Sequence, residues 1–388
     1  MGAAEKILES MERSSWIRKM FEAGAEMKAE YGADNVYDFS LGNPNLDPPE
    51  EFLSALRETA AEVLPFKHAY MPNAGYPDVR KAVAEVLSEE QHVQIEWENL
   101  IMTCGAGGAL NVALKTILNP GDEVIASTPC FMEYSFYAAN HGGSLILADG
   151  KDDFDIDVNA IEGKINKKTK AVIINSPNNP SGRIYPEASL SSLAEMLRKK
   201  NREIGHTIYI ISDEPYRKII YGGVSVPSLL KLYENTMICT SYSKELSIPG
   251  ERIGWLAIHP DAEDQKNLVD GAVLCNRILG YVNAPALMQR VIKKTLLARV
   301  DIEAYRKKRD ALASILKDAG FTFRLPEGTF YLFPEAPGGD DLGTVEKLRG
   351  KKILAVPGRG FGKPGYFRLS FCVSDRVIEG SRESFMSF

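Results

Sequence analysis

Short apolar runs alternate with amphipathic stretches between about residues 44 and 285. The runs have the length of strands, and the stretches between them space their apolar residues as helices do, for example at 109–118 and 190–200. This alternation is typical of an α/β fold in which helices cover both faces of a mostly parallel sheet. The predicted strands are residues 100–103, 123–127, 171–175, 208–212 and 237–240.

The pattern changes after residue 285. One long helical pattern covers residues 286–319, and shorter predicted strands follow around 329–333, 353–356 and 367–371. This order is typical of a smaller α+β domain, and the helical pattern at 16–28 is expected to pack on it. A chain of 388 residues also favours two domains. The predicted division is an N-terminal segment (1–45) that packs on the small domain, a large domain (46–285) and a small C-terminal domain (286–388).

The composition limits the kinds of molecule that the protein is expected to bind. The net charge is −6 and no stretch of Lys and Arg forms a basic stripe, which argues against nucleic acid and against an anionic membrane surface. No apolar run approaches the length of a membrane span, and the charged first residues do not resemble a secretory signal. We therefore expect a cytoplasmic protein that acts on small molecules.

The cysteines and histidines are scattered. Five cysteines occur without a C-x-x-C pair, which argues against a disulfide framework, and the five histidines form no metal-binding motif. No metal site is predicted.

Four segments of the chain each combine a predicted strand, or its last residue, with the polar residues that follow it. Open α/β sheets bind their ligands at such strand ends. Each segment taken alone has an ordinary structural explanation: a tight turn, an irregular loop, a capping carboxylate or a surface lysine. Together they are far less ordinary. The segments are 100–110 (LIMTCGAGGAL), 175–182 (NSPNNPSG), 208–216 (IYIISDEPY) and 240–255 (TSYSKELSIPGERIGW).

With these four segments in this order, the chain resembles the class I and II aminotransferases, which have the type I fold of pyridoxal-phosphate (PLP) enzymes. The resemblance covers nearly the whole length, and the segment at 240–255 is its most specific part. It implies PLP as cofactor and an exchange of amino groups between amino acids and 2-oxo acids.

The resemblance assigns roles around the cofactor. It implies that Lys244 forms the Schiff base with PLP and that Asp213 keeps the pyridine nitrogen protonated. Tyr216 and Asn179 correspond to the hydrogen-bonding partners of the ring oxygen. The expected ligands of the phosphate are the backbone N–H groups of Ala106 and Gly107, together with Ser241 and Arg252.

Three further positions complete the expected site. Phe131 matches the aromatic residue that stacks on the pyridine ring, although an aromatic residue of the core is the alternative. Tyr70 resembles the tyrosine that reaches the phosphate of the neighbouring subunit, which implies a homodimer with shared active sites. Arg368 stands where the family binds the substrate α-carboxylate, and Gly42 lies in the segment that closes over the substrate.

Some questions stay open in the sequence. Arg359 stands where the family often has a small serine, and it either faces solvent or alters the substrate entrance. Arg277 is either a helix-surface arginine or the reader of a second substrate carboxylate across the dimer. A carbon–sulfur lyase on the same fold is the alternative activity, because it needs the same residues. A non-catalytic PLP sensor, of the kind that joins this fold to a DNA-binding domain, is disfavoured because only about 40 residues precede the large domain.

Overall fold

A seven-stranded sheet forms the centre of the computed structural model, which describes residues 2–12 and 16–388. The order of its strands is β2-β8-β7-β6-β5-β3-β4. All five strands predicted for this region are present. The strands are β2 (Leu100–Thr103), β3 (Glu123–Thr128), β4 (Ser144–Asp149), β5 (Thr169–Asn175), β6 (Tyr209–Asp213), β7 (Thr236–Ser241) and β8 (Gly254–Ile258).

The sheet is parallel except at one strand. Strands β4, β3, β5, β6 and β7 pair in parallel, whereas β8 runs antiparallel to both β7 and β2. The α/β fold with a mostly parallel sheet is thus confirmed. Strands β4 and β8 were not predicted from the sequence. The reversed direction of β8 matters for the site, since it brings the amino end of β8 to the edge where the parallel strands end.

Apolar clusters cover both faces of the sheet, and the alternation of side chains along β3 shows it. On β3, Val124 and Ala126 belong to one apolar cluster, and Ile125 belongs to another on the opposite face. The helices that flank these strands are α3 (Glu50–Ala61), α4 (Pro77–Gln91), α5 (Gly105–Ile117), α6 (Glu133–Asn140), α7 (Val158–Glu162), α8 (Glu187–Ile204), α9 (Leu229–Leu232) and α10 (Gln265–Ile278).

The C-terminal third contains a smaller antiparallel sheet in the order β11-β12-β9. The predicted strands of this region are present, each of them short. The elements are α11 (Ala286–Lys294), α12 (Ile302–Asp318), β9 (Tyr331–Leu332), α13 (Asp341–Gly350), β10 (Ile353–Leu354), β11 (Val356–Pro357), β12 (Phe367–Ser370), α14 (Asp375–Gly380) and α15 (Arg382–Met386).

The N-terminal segment contacts this smaller sheet region. Its helices are α1 (Glu5–Glu12) and α2 (Trp16–Tyr31), and its strand β1 (Tyr37–Asp38) pairs in parallel with β10. Met20 and Phe39 belong to the same apolar cluster as Phe330 and Phe367. Residues 1 and 13–15 of the predicted N-terminal segment lie outside the described residues.

The long helix predicted over residues 286–319 is wrong in one respect, because it is two helices. Helix α11 ends at Lys294, and α12 begins at Ile302 after an irregular turn. The side chain of Asp301 accepts hydrogen bonds from the backbone N–H groups of Glu303 and Ala304, which caps the second helix. Helix α11 then packs against α3 and α4, while α12 joins the C-terminal cluster. In the part of the chain that the structure describes, no helix is long and apolar enough to cross a membrane.

Candidate active site

Functional side chains meet at one edge of the central sheet. The carboxyl ends of β2, β3, β5, β6 and β7 lie there, together with the amino end of β8. A cavity of about 430 Å³ opens at this edge. Of the sequence-predicted site residues, all but Tyr70 line it: Gly42, Ala106, Gly107, Phe131, Asn179, Asp213, Tyr216, Ser241, Lys244, Arg252 and Arg368.

The first turn of helix α5 forms one end of the cavity. Ala106 and Gly107 lie in this turn, where backbone N–H groups have no partner within the helix. Gly105 adopts a φ of +74°, and a Cβ there would lie 2.8 Å from Nη2 of Arg252. Glycine is therefore needed for the guanidinium to reach the start of the helix. N–H groups and a cation at one point are suited to binding a phosphate.

Arg252 and Ser241 complete this anion-binding end. Among the described residues, the Arg252 guanidinium donates only to the carbonyl oxygens of Pro249, at 2.9 Å, and Cys104, at 3.3 Å. Its positive charge therefore has no carboxylate as hydrogen-bond partner in the described part of the chain. Ser241 is the last residue of β7, and it is buried beside the same cavity.

Asp213 ends strand β6 and is buried. Its Oδ2 accepts a hydrogen bond from the hydroxyl of Tyr134 at 2.6 Å, whereas Oδ1 has no partner among the residues that the structure describes. Burial raises the pKa of the Asp213 carboxyl to about 7, against the hydrogen bond from Tyr134, which lowers it. A cation placed at Oδ1 would satisfy this oxygen and favour the ionised carboxylate.

Lys244 follows β7 and points into the cavity. Its Nζ donates to the carbonyl oxygen of Gly42 at 3.0 Å. Burial lowers the pKa of the Lys244 ammonium to about 8, and the nearby charges of Arg368 and Arg252 also lower it. The neutral amine, which is the nucleophilic form, is thus accessible near neutral pH.

Arg368 is almost completely buried, with 1% of its surface exposed. Its Nη1 donates to Oδ1 of Asn179 at 3.0 Å and its Nη2 donates to the carbonyl oxygen of Ser40 at 2.7 Å, while Nε has no partner in the described residues. Both acceptors are neutral. A buried guanidinium without a counter-charge is poised to bind a carboxylate.

Tyr216 and Asn179 line the same cavity as Asp213 and Arg368. The Tyr216 hydroxyl is 3.0 Å from the hydroxyl of Tyr331. The Asn175 side chain donates to the carbonyl oxygen of Asp213 and accepts from the backbone N–H of Asn179, so it ties the ends of β5 and β6 together. Phe131 packs edge-on against the ring of Tyr134, with centroids 5.6 Å apart, and also borders the cavity.

Three residues singled out in the sequence lie elsewhere. Tyr70 is 89% exposed and does not line the cavity of its own chain. Arg277 is also exposed, in the last turn of α10. Arg359 lies outside the cavity and binds Asp341, which is completely buried, through Nε, Nη2 and its backbone N–H. An effect of Arg359 on the substrate entrance is thus not supported.

Sequence reasoning missed several residues that shape the cavity. Tyr134 and Tyr331 contact predicted site residues directly, and Tyr137, Glu133 and Ser243 line the wall. Tyr134 and Glu133 stand beside the recognised Phe131, so their neighbourhood was available as a signal. Tyr331 lies in an apolar stretch that predicts only a buried strand.

The arrangement fits PLP. The cofactor brings a phosphate, a protonated pyridine nitrogen and an aldehyde, and the cavity offers an anion site, an unpartnered oxygen on Asp213 and a reactive amine. Within the described ranges, no group of three or more His, Cys, Asp or Glu side chains could hold a metal ion.

Comparison with known proteins agrees with this geometry. Residues 34–384 match the family of class I and II aminotransferases. The chain is 30% identical to the probable aspartate aminotransferase of Methanocaldococcus jannaschii over 352 residues, covering 88% of this chain and 90% of that protein. It is 31% identical to the aspartate aminotransferase of Bacillus subtilis over 380 residues, covering 94% of this chain and 93% of that one.

Solved structures show the same fold. An aminotransferase from Eubacterium rectale superposes with a TM-score of 0.96 at 38% identity, over 100% of this chain and 98% of that one. The aspartate aminotransferase of Thermus thermophilus with maleate superposes with a TM-score of 0.89 at 26% identity, over the full length of both chains. The chain belongs to the class I and II aminotransferases and is a PLP-dependent aminotransferase.

Proposed function

We propose that Lys244, Asp213 and Tyr216 carry out the transamination, with Arg368 holding the α-carboxylate of the amino acid or 2-oxo acid. The observation that carries this proposal is a set of ionisable side chains that surround one cavity and lack an oppositely charged partner in the described chain. Asp213 and Arg368 are buried and Lys244 is half-buried, and within the described chain none of the three has an opposite charge as hydrogen-bond partner. Isolated buried charges are costly, so they mark a site built for a ligand.

The residues that would hold PLP follow from these contacts. The N–H groups of Ala106 and Gly107, with Ser241 and Arg252, are proposed to bind the phosphate. Asp213 is proposed to bind the protonated ring nitrogen through Oδ1, while Tyr134 holds Oδ2. Tyr216 and Asn179 are proposed to donate to the ring oxygen, and Phe131 to cover the ring face.

The chain's own contribution to the reaction is the placement of protons and carboxylates. When bound, PLP carries the amino group and withdraws electrons from the neighbouring C–H bond. Lys244 is proposed to take the proton from the substrate α-carbon and to return it, which its lowered pKa allows near neutral pH. Arg368 fixes the α-carboxylate and thereby the orientation of that carbon.

We further propose a homodimer in which the active sites are shared. The stretch around Tyr70 exposes large apolar side chains: Val63 is 97% exposed, Phe66 86% and Tyr70 89%. Burial of this surface against a second copy would remove apolar area from water, and it would place Tyr70 near the partner's phosphate site. We also propose that the enzyme works in the cytoplasm, where its five unpaired cysteines would remain reduced.

Arg277 is proposed to read a second substrate carboxylate across the dimer. In support, it is exposed on α10 near the exposed Leu274 and Ile278, and it does not line its own cavity. Arg277→Ala should then lower kcat/KM for aspartate more than for alanine, and the difference between the two losses should correspond to ~2 kcal/mol. Equal losses for the two amino acids would rule out this role.

The proposed function is tested by the visible spectrum of the purified protein with PLP. We expect an absorbance band of the bound cofactor that is absent in Lys244→Ala. An amino acid should convert this band to that of the aminated cofactor, and a 2-oxo acid should restore it. Release of pyruvate and ammonia without an oxo-acid acceptor would instead indicate the carbon–sulfur lyase, which the named relatives do not favour. No band in the parent protein would contradict the proposal.

A further inference from the structure

Tyr331 contacts three parts of the proposed site at once. It is the first residue of β9 and is 3% exposed, and its backbone pairs with Ser370 on β12, the strand that also carries Arg368. Its hydroxyl lies 3.0 Å from that of Tyr216. Its ring lies 4.3 Å from the Arg368 guanidinium.

We propose that Tyr331 is a positioning residue that links the carboxylate site at Arg368 to the hydroxyl of Tyr216. This inference rests on the roles proposed above for Arg368 and Tyr216. It assigns two separate tasks to one side chain, because the hydroxyl acts on Tyr216 and the aromatic ring acts on Arg368.

The hydroxyl task follows from counting protons. Burial raises the pKa of both tyrosines, so both hydroxyl groups keep their protons near neutral pH. One proton lies between the two oxygens. If Tyr331 donates it, the proton of Tyr216 is free to be donated to the ring oxygen of the cofactor. If Tyr331 loses its hydroxyl, Tyr216 loses this support, and its hydrogen bond to the cofactor becomes weaker and less well oriented.

The ring task follows from the surroundings of Arg368. Its guanidinium lies over two aromatic rings, that of Tyr331 at 4.3 Å and that of Phe361 at 4.8 Å. Two such contacts stabilise the cation and restrict the plane of the fork. A fixed plane directs the donors of Arg368 to one place, where a substrate carboxylate can bind both.

The position of Tyr331 is closely confined. A Cβ built on Gly42 would lie 1.8 Å from its hydroxyl oxygen, so the segment that is proposed to close over the substrate touches it directly. The hydroxyl therefore has little freedom to turn away from Tyr216.

Two substitutions separate the two tasks. Tyr331→Phe removes the hydroxyl and keeps the ring, and Tyr331→Leu removes both. In the PLP-loaded enzymes we would measure the pH midpoint of the cofactor's visible band. Both variants should raise the midpoint by about 0.5 to 1 pH unit. The weaker hydrogen bond from Tyr216 leaves more negative charge on the cofactor's ring oxygen, and this charge holds the proton on the neighbouring nitrogen more strongly.

The second readout is the affinity for propionate, a carboxylate that cannot react. Tyr331→Phe should keep its Kd within about twofold, and Tyr331→Leu should raise it about tenfold. The matched control is Tyr305→Phe, since Tyr305 is completely buried in the same cluster, packs on Phe330 and does not line the cavity. This control should change neither quantity.

The outcomes are distinguishable. An unchanged midpoint in Tyr331→Phe would overturn the hydroxyl task, and unchanged propionate binding in Tyr331→Leu would overturn the ring task. Either result would leave the proposed function intact if the band of the parent enzyme still depends on Lys244. A parent enzyme without that band would overturn the proposed function itself.

Discussion

At the scale of single residues, the site contains ionisable groups that the fold buries without an opposite charge beside them. Among the residues that the structure describes, Oδ1 of Asp213 has no partner and Arg368 donates only to neutral acceptors. Such groups cost stability, because each has lost water without gaining an opposite charge. We propose that a bound cofactor and substrate supply the missing charges and thereby offset this cost.

The reactivity of Lys244 should follow its lowered pKa. In the protein without PLP, modification of Lys244 by an amine-directed reagent should rise with pH through a midpoint near 8, since the neutral amine is the reactive form. The exposed Lys266, whose pKa is raised by its hydrogen bond to Asp270, is an internal control that should react only at higher pH. The measurement is peptide mass spectrometry of one sample series between about pH 6 and pH 11.

Burial determines the direction in which the pKa of Lys244 shifts. The pKa of Lys244 lies below the ordinary value of 10.5, so the folded protein favours the neutral amine. The ammonium therefore destabilises the fold most below pH 8, and this cost disappears as the pH rises towards 10.5. If Lys244 and Lys266 were modified in parallel over the whole range, the lowered pKa would be refuted.

At the scale of elements, the reversed strand β8 explains the spacing of the most specific sequence segment. Arg252 lies just before β8, and the strand direction brings it to the edge where β7 ends at Ser241. Gly254 allows this packing, because a Cβ there would lie 2.3 Å from the carbonyl oxygen of Thr240 and 3.0 Å from the Cα of Gly105. The glycine thus lets β8 approach both β7 and the start of α5.

Gly254→Ala should therefore weaken both the fold and the proposed phosphate site. We expect a loss of about 1–3 kcal/mol in the free energy of unfolding and a higher Kd for PLP, because strand and helix must move apart. Chemical denaturation and PLP titration measure the two effects. Gly250→Ala is the matched control in the same segment, since a Cβ there meets nothing within 4 Å. Equal behaviour of the two variants would contradict the packing argument.

At the scale of the whole molecule, we propose the division into an N-terminal segment (1–45), a large domain (46–285) and a small domain (286–388). Pairing of β1 with β10 supports the attachment of the N-terminal segment to the C-terminal region. Helix α11, the first helix of the proposed small domain, packs on α3 and α4 of the large domain. Arg183 also connects the two parts through its ion pair with Glu327.

The shared active site is tested with hybrid dimers. Tyr70→Ala and Lys244→Ala should each be impaired as homodimers. If Tyr70 acts in the partner's site, a hybrid of the two chains contains one fully intact site, and co-expression in equal amounts should restore about a quarter of the parent activity. The measurement is transamination by the co-expressed proteins against a mixture of the separately purified variants. Activity no higher than that of the mixture would contradict a shared site.

The sequence by itself determined the fold class and most of the proposed ligands of the cofactor. Short apolar runs that are followed by Gly, Asn, Asp or Lys are local signals, and they can be read without knowing the order of the strands in the sheet. Helix ends are also local, but the break before α12 was missed because the helical pattern continues across it.

Only the tertiary structure decided which side chains touch. Tyr331 and Tyr134 reach the site through contacts with residues 115 and 79 positions away, and no local pattern encodes such distances. Tertiary packing also decided which charges lack partners: Arg359 finds a buried carboxylate at Asp341, whereas Arg368 finds only neutral oxygens. The physical reason is that burial and counter-charge depend on every neighbour in space, and the sequence specifies only the neighbours along the chain.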